Sequence, residues 1–163
     1  KSPDHLIPRV IKPTSSVLDR IRSAREKDAL SYLLNDVNIH FETVQFLIKR
    51  EVNLNIQNEY GNTLLHKICS LNNPDLKILT LLLNSKRANP NIKNNRGFTP
   101  FHILLLKKIS DHEICRLFLY SNANPNIQNK SGETPFHYLC YKNNLTYPIV
   151  NLFFNLLIII DEV

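Results

Sequence analysis

The stretch Asn91, Ile92, Lys93, Asn94, Asn95, Arg96, Gly97, Phe98, Thr99, Pro100, Phe101, His102 decides how this chain folds, because versions of it occur three times. Upstream, Asn55, Ile56, Gln57, Asn58 lead to Gly61 and then to Thr63, Leu64, Leu65, His66. Downstream, Asn126, Ile127, Gln128, Asn129 lead to Gly132 and then to Thr134, Pro135, Phe136, His137. The chain has 3 glycines among its 163 residues, at positions 61, 97 and 132, and so at spacings of 36 and 35. So sparse a residue at so even an interval marks a repeated structural unit.

Each feature of the unit has a local physical reason. The glycine suits a turn where positive φ carries no Cβ penalty. Thr99 and Thr134 are placed to cap a helix by accepting a bond from an N–H two or three residues on. Pro100 and Pro135 then take the first helical position, where no N–H is missed. The apolar positions that follow, Phe101, Leu104 and Leu105, or Phe136, Leu139 and Cys140, recur at helical spacing and predict one buried stripe. A second stripe is expected beyond a polar turn, at Ile78, Leu81 and Leu82 and again at Ile114, Leu117 and Phe118. Paired short helices are marginal in water by themselves, so stacking of neighbouring units is obligatory.

Three in-register copies of this pattern resemble the ankyrin repeat, whose period is about 33 residues and whose signature is T-P-L-H. The resemblance implies an all-α ankyrin-repeat solenoid of helix-turn-helix units with short turn or hairpin tips, about four repeats plus partial end units. The expected boundaries are an extended segment over 1–15, punctuated by Pro3, Pro8 and Pro13, and a repeat domain over 16–163. Within it the repeats fall near 28–57, 58–93, 94–128 and 129–163, the last of these a partial or capping unit, and Ser16 to Arg25 is expected to form a capping helix on the first of them.

Composition bounds the function. Hydrophobic residues make up 43% of the chain, enough for a packed core rather than disorder. The longest apolar run, Leu152 to Ile160, is interrupted by Asn155 and falls short of the roughly 20 residues that span a bilayer, so it reads as a packed helix and no membrane partner is expected. It also lacks the polar face of an end repeat, which predicts a stack continued by further repeats. Lys1, Ser2, Pro3 and Asp4 open the chain without an apolar leader or an initial Met, so a fragment or processed chain is expected. Cys69, Cys115 and Cys140 are too few and too scattered for a disulfide framework or a C-x-x-C metal site, which points to a reducing compartment.

Sites for chemistry are not expected. His66, His102 and His137 share one slot in three stacked units, too far apart to ligate one zinc ion, and the ankyrin resemblance implies that they bond to backbone in their own turn and in the next repeat. His5, His40 and His112 follow no pattern. Cys69 and Cys140 read as core fillers. No phosphate loop, G-x-S-x-G elbow or H-E-x-x-H helix occurs, so no catalytic residue, cofactor or metal is assigned. The net charge of +6 admits nucleic-acid binding only as a remote alternative, because Lys and Arg never run beyond two in a row and the aromatics mostly fall in core slots.

On the ankyrin template the tip residues around each glycine point outward and form the candidate partner surface: Glu59, Tyr60 and Asn62, then Asn95, Arg96 and Phe98, then Lys130, Ser131 and Glu133. Tyr60, Arg96 and Phe98 are of the types suited to interface hot spots. The alternative for Phe98 is a ring folded back on its own hairpin. Among ankyrin proteins, the phrases Asn89, Pro90, Asn91, Ile92 and Asn124, Pro125, Asn126, Ile127, with Ser31 to Asp36, resemble the poxvirus family. That resemblance implies an intracellular protein, in the host cytoplasm or nucleus, that binds host proteins and tunes host range. Many such proteins recruit a cullin-type ubiquitin ligase through an F-box-like tail, and no residues here match that tail. A cellular or bacterial ankyrin scaffold is the competing reading.

Overall fold

The computed structural model describes residues 33–34, 39–107, 112–141 and 146–161, with residues 155–161 described by backbone alone. The expected extended segment and capping helix at the N-terminus lie outside the described residues. Those that are described hold seven helices and no strand: α1 (Phe41–Lys49), α2 (Leu64–Cys69), α3 (Leu76–Asn84), α4 (Pro100–Leu106), α5 (His112–Tyr120), α6 (Pro135–Tyr141) and α7 (Tyr147–Asp161). They form two rows. The short helices α2, α4 and α6 pack side by side as an inner row, and α1, α3, α5 and α7 as an outer row.

The inner helices begin where the sequence predicts. Thr63 and Thr99 each accept from the backbone N–H three residues on, while the side chain of His66 or His102 reaches back to the backbone N–H of that same threonine. Two orphan donors per helix are thereby satisfied. At α6 the histidine half of this cap recurs, the Thr134 N–H donating to His137 Nδ1 across 3.0 Å, while the His137 N–H bonds the Thr134 carbonyl at 3.1 Å. The Asp75 carboxylate caps α3 by accepting from the Lys77 N–H at 2.7 Å.

Outer helices α1, α3 and α5 stop by entering a left-handed residue that is not glycine. Glu51, Lys86 and Asn122 have φ of 58°, 55° and 63°. After each of two of them the chain folds back to bond the preceding helix, with the Val52 N–H on the Leu47 carbonyl at 3.2 Å and the Ala123 N–H on the Phe118 carbonyl at 3.0 Å.

Between the rows lies one core. Phe101 of α4 is fully buried and stacks on Phe118 of α5 at 5.3 Å and on Phe153 of α7 at 5.9 Å between ring centroids. Two expectations about the apolar stripes need correction. The buried faces of α3 and α5 are Ile78, Leu79, Leu82, Leu83 and Ile114, Cys115, Phe118, Leu119, whereas Leu81 and Leu117 are only half-buried. In α6, Phe136 is half-buried and Cys140 is exposed, not a core filler. Cys69, in the same slot one unit earlier than Leu105, is buried because the next inner helix covers it, and burial pushes its thiol well above the ordinary range. Among the described residues nothing packs on the far side of α6 to do the same for Cys140.

Candidate functional site

Each tip is built around one asparagine. The Asn58 side-chain oxygen accepts from the N–H groups of Tyr60 and Asn62, that of Asn94 from Arg96 and Phe98, and that of Asn129 from Ser131 and Glu133, all within 2.8–3.1 Å. The same asparagines close the loop through their backbones, with the N–H of Asn58, Asn94 and Asn129 donating to the carbonyls of Asn62, Phe98 and Glu133. The enclosed glycines have φ of 74°, 80° and 78°, the region where a Cβ is penalised.

Successive tips are then tied together. The Asn95 N–H donates to the Tyr60 carbonyl at 3.0 Å, its side-chain amide to the Glu59 carbonyl at 2.8 Å, and the Lys130 N–H to the Arg96 carbonyl at 3.4 Å. This approach explains the glycines a second way. A Cβ on Gly61 would sit 2.6 Å from the Asn95 nitrogen, and one on Gly97 would sit 2.7 Å from the Lys130 nitrogen. Beneath the tips, His66 Nε2 donates to the Phe98 carbonyl at 3.0 Å and His102 Nε2 to the Glu133 carbonyl at 3.1 Å. Since a carbonyl only accepts, Nε2 carries the proton and Nδ1 is left to accept from the threonine N–H. Burial pulls His66 down to about 4 and lowers His102 too, so both are neutral at pH 7.

The nine tip residues therefore divide. Glu59, Tyr60, Arg96, Lys130 and Ser131 are exposed, Tyr60 to 64%. Asn95 is exposed but spends both its backbone and side-chain donors on the preceding tip. Asn62 accepts from the Asn94 side chain at 2.8 Å and is half-buried. Glu133 turns its carboxylate inward, accepting from the Tyr138 hydroxyl at 2.5 Å and the Asn129 amide at 3.0 Å. The expectation that Phe98 projects is corrected. Its ring is buried, folded back between His102, stacked at 5.7 Å, and Tyr138, edge-on at 5.8 Å, because an apolar ring at this position reaches the next inner helix. Arg96 in turn lies with its guanidinium 5.0 Å above the Phe98 ring, which holds the cation in place on the ridge.

Tyr138 and Tyr141 were not singled out from the sequence. Burial first, and then its bond to Glu133, push the Tyr138 phenol up to about 12, so it stays a donor, while those bonds hold Glu133 below the usual carboxylate range. Tyr141 is 66% exposed and packs edge-on against Tyr138 and at a tilt against His137. The signal that would have found it is the slot. Ser70, Leu106 and Tyr141 all lie at the end of the short inner helix, each one turn beyond the repeat histidine, and all are at least partly exposed.

On the outer row, an open groove of about 670 Å³ between α1 and α3 is lined by Phe41, Ile48, Leu76 and Leu81, with Lys77 at its edge. Among the described residues no group of three His, Cys, Asp or Glu could hold a metal ion, and no helix is long and apolar enough to cross a membrane.

A family model described as ankyrin repeats in 3 copies matches residues 30–126, and another described as ankyrin repeats in many copies matches residues 110–154. No curated protein matches the chain. The alternating rows of helices, the asparagine-closed tips and the threonine–histidine caps agree with that match, and the chain belongs to the ankyrin-repeat family of protein–protein interaction modules.

Proposed function

We propose that this chain captures a partner protein along the ridge formed by Tyr60, Arg96 and Lys130, extended by Tyr141 at the end of the last inner helix. The observation that carries the reading is the pairing of exposed hot-spot side chains with an immobilised backbone. Tyr60 and Tyr141 are 64% and 66% exposed, yet the tip that bears Tyr60 is bonded within itself and to its neighbour. Tyrosine and arginine held in place lose little entropy on binding, which is where interface energy concentrates.

The partner is proposed to be a host protein inside an infected cell, so that binding modulates antiviral signalling or host range. Support comes from the resemblance of Asn89 to Ile92, Asn124 to Ile127 and Ser31 to Asp36 to poxvirus ankyrin proteins, and from three cysteines that are thiols rather than disulfide partners, as a reducing compartment keeps them. The test is quantitative capture from cells by the native chain and by a variant carrying Tyr60→Ala, Arg96→Ala and Tyr141→Ala, with Leu76→Ser on the outer row as control. The expected result is loss of the partner in the triple variant and retention in the control. An unchanged set of partners in the triple variant would remove the ridge as the binding surface.

A further inference from the structure

The three tips share one backbone but not one charge. Aligned on their glycines, Gln57, Glu59 and Tyr60 of the first tip stand where the second has Lys93, Asn95 and Arg96 and the third has Gln128, Lys130 and Ser131. The loop closes alike in all three, through the side-chain oxygens of Asn58, Asn94 and Asn129, so the turn itself requires no cation in any of these slots. Three cations are nevertheless gathered on the second and third tips, and all three are exposed. The Lys130 N–H donates to the Arg96 carbonyl at 3.4 Å, which sets those two loops side by side. Burial first, and then the charge of Lys93, lower His102, which places the Lys93 ammonium close to the imidazole beneath the same tip.

Like charges this close repel, and the neighbouring carboxylates do not offset them. Glu133 turns inward to Tyr138 and Asn129, Glu59 stands on the first tip, and among the described residues no carboxylate pairs with Lys93, Arg96 or Lys130. Arg96 is also held in advance of any partner. Its guanidinium lies 5.0 Å over the Phe98 ring, which is itself buried between His102 and Tyr138, and its side-chain N–H groups make no hydrogen bond among the described residues. A planar fork steadied by its face keeps its in-plane donors for a planar, two-oxygen acceptor, and a carboxylate is the group that matches it.

We infer that the second and third tips form a carboxylate-binding cluster, with Arg96 as its bidentate anchor and Lys93 and Lys130 adding charge, and that the segment captured along the ridge is an acidic stretch of polypeptide. The inference rests on the ridge being a protein-binding surface and names the chemistry of what it takes. The order of charges also sets the placement. Glu59 repels acidic residues at the first tip, so the Asp or Glu side chains of the partner lie against the second and third tips, and Tyr60 meets an uncharged neighbour. A nucleic acid fits less well, because a phosphate backbone needs cations continued along its path, whereas this patch is bounded by Glu59.

The probes are a fluorescein-labelled peptide alternating glutamate with serine, its glutamine–serine counterpart of equal length, and a labelled oligothymidylate, each titrated with the full chain at low salt and followed by fluorescence anisotropy. The glutamate peptide is expected to bind saturably, and the glutamine peptide at least about tenfold more weakly. Arg96→Gln should weaken the glutamate peptide about tenfold and Lys93→Gln about threefold. Arg96→Lys should fall between Arg96→Gln and the native chain, because the charge survives without the fork, and Glu59→Gln should tighten binding. Lys49→Gln removes the same charge from an exposed position at the end of α1 and should bind as the native chain does. Circular dichroism checks that each variant keeps its helices. The inference is overturned if the two peptides bind alike, if Lys49→Gln costs as much as Arg96→Gln, which would reduce the effect to net charge, or if the oligothymidylate binds more tightly and is lost on the same substitutions. Capture from cells that is abolished by Tyr60→Ala with Tyr141→Ala yet indifferent to Arg96→Gln would also overturn it, while leaving the ridge in place. Peptide binding that depends on Arg96 while capture ignores Tyr60 and Tyr141 would instead uphold the cluster and remove the wider ridge.

Discussion

His66 Nε2 donates to the main-chain carbonyl of Phe98 across 3.0 Å although the two residues lie 32 positions apart. One imidazole therefore closes the cap of its own helix through Nδ1 and pins the turn of the following repeat through Nε2. The histidine slot is a structural joint, and a neutral ring is the only state that makes both bonds, since a protonated Nδ1 would face the Thr63 N–H donor at 3.1 Å.

Acid should therefore loosen the stack before its carboxylates titrate. His66 in the folded chain is lowered to about 4, against 6.5 when unfolded, so between these values the unfolded state binds the extra proton. Stability is full above pH 6.5 and falls as pH drops toward 4, by about 2 kcal/mol at pH 5 from this residue alone. His102 is lowered as well and acts in the same direction. Urea unfolding followed by circular dichroism at pH 7.5, 6 and 5 should show the loss, and His66→Gln should flatten it. A pH-independent midpoint over that range would refute the role.

Whether a repeat histidine bonds the following tip should be visible in stability. His102→Ala removes a cap together with the inter-repeat bond to the Glu133 carbonyl and a buried ring, for a cost of about 2–3 kcal/mol, while His137→Ala removes a cap alone, at about 1 kcal/mol. Chemical denaturation of the two variants measures the difference, and equal costs would mean that the inter-repeat bond contributes nothing.

The glycines should divide in the same way. All three have positive φ, so alanine at Gly132 should cost about 1–2 kcal/mol from backbone strain. At Gly97 the new methyl also meets the Lys130 nitrogen at 2.7 Å, so Gly97→Ala should exceed about 3 kcal/mol or unfold the chain. Thermal melts of both variants decide this.

A gain is available at the left-handed helix stops. Lys86 is exposed with φ of 55°, and its backbone N–H already bonds the Leu83 carbonyl at 3.1 Å. Lys86→Gly relieves the Cβ strain and should raise stability by about 0.5–1 kcal/mol after the added unfolded-state entropy is subtracted. A lower melting temperature would show that the lysine stem packs usefully.

Much of the local structure was legible in the residues. Thr99 followed by Pro100 and His102 contains its own helix start, because a cap needs only neighbours three positions away, and three evenly spaced glycines announce three turns. The phase of the outer helices was not legible. In α3 six of the nine residues are apolar, so the periodicity could not say that Leu79 and Leu83, rather than Leu81, face the inner row. The candidate surface was half legible: Tyr60 and Arg96 stand where the template places them, while Phe98 does not.

The sequence by itself determined the repeat, its turns and its caps, since each rests on bonds within five residues or on the φ preference of one. What only the tertiary structure decided is which slots are used up between repeats and which are left at the end. Phe98 is buried because Tyr138 stands opposite it, Asn62 and Asn95 are spent on neighbouring tips, and Cys140 and His137 are exposed because no described inner helix packs over them. In a stack of like units, identical residues differ only by what lies on the next rung, and that is a property of position in space rather than of local chain.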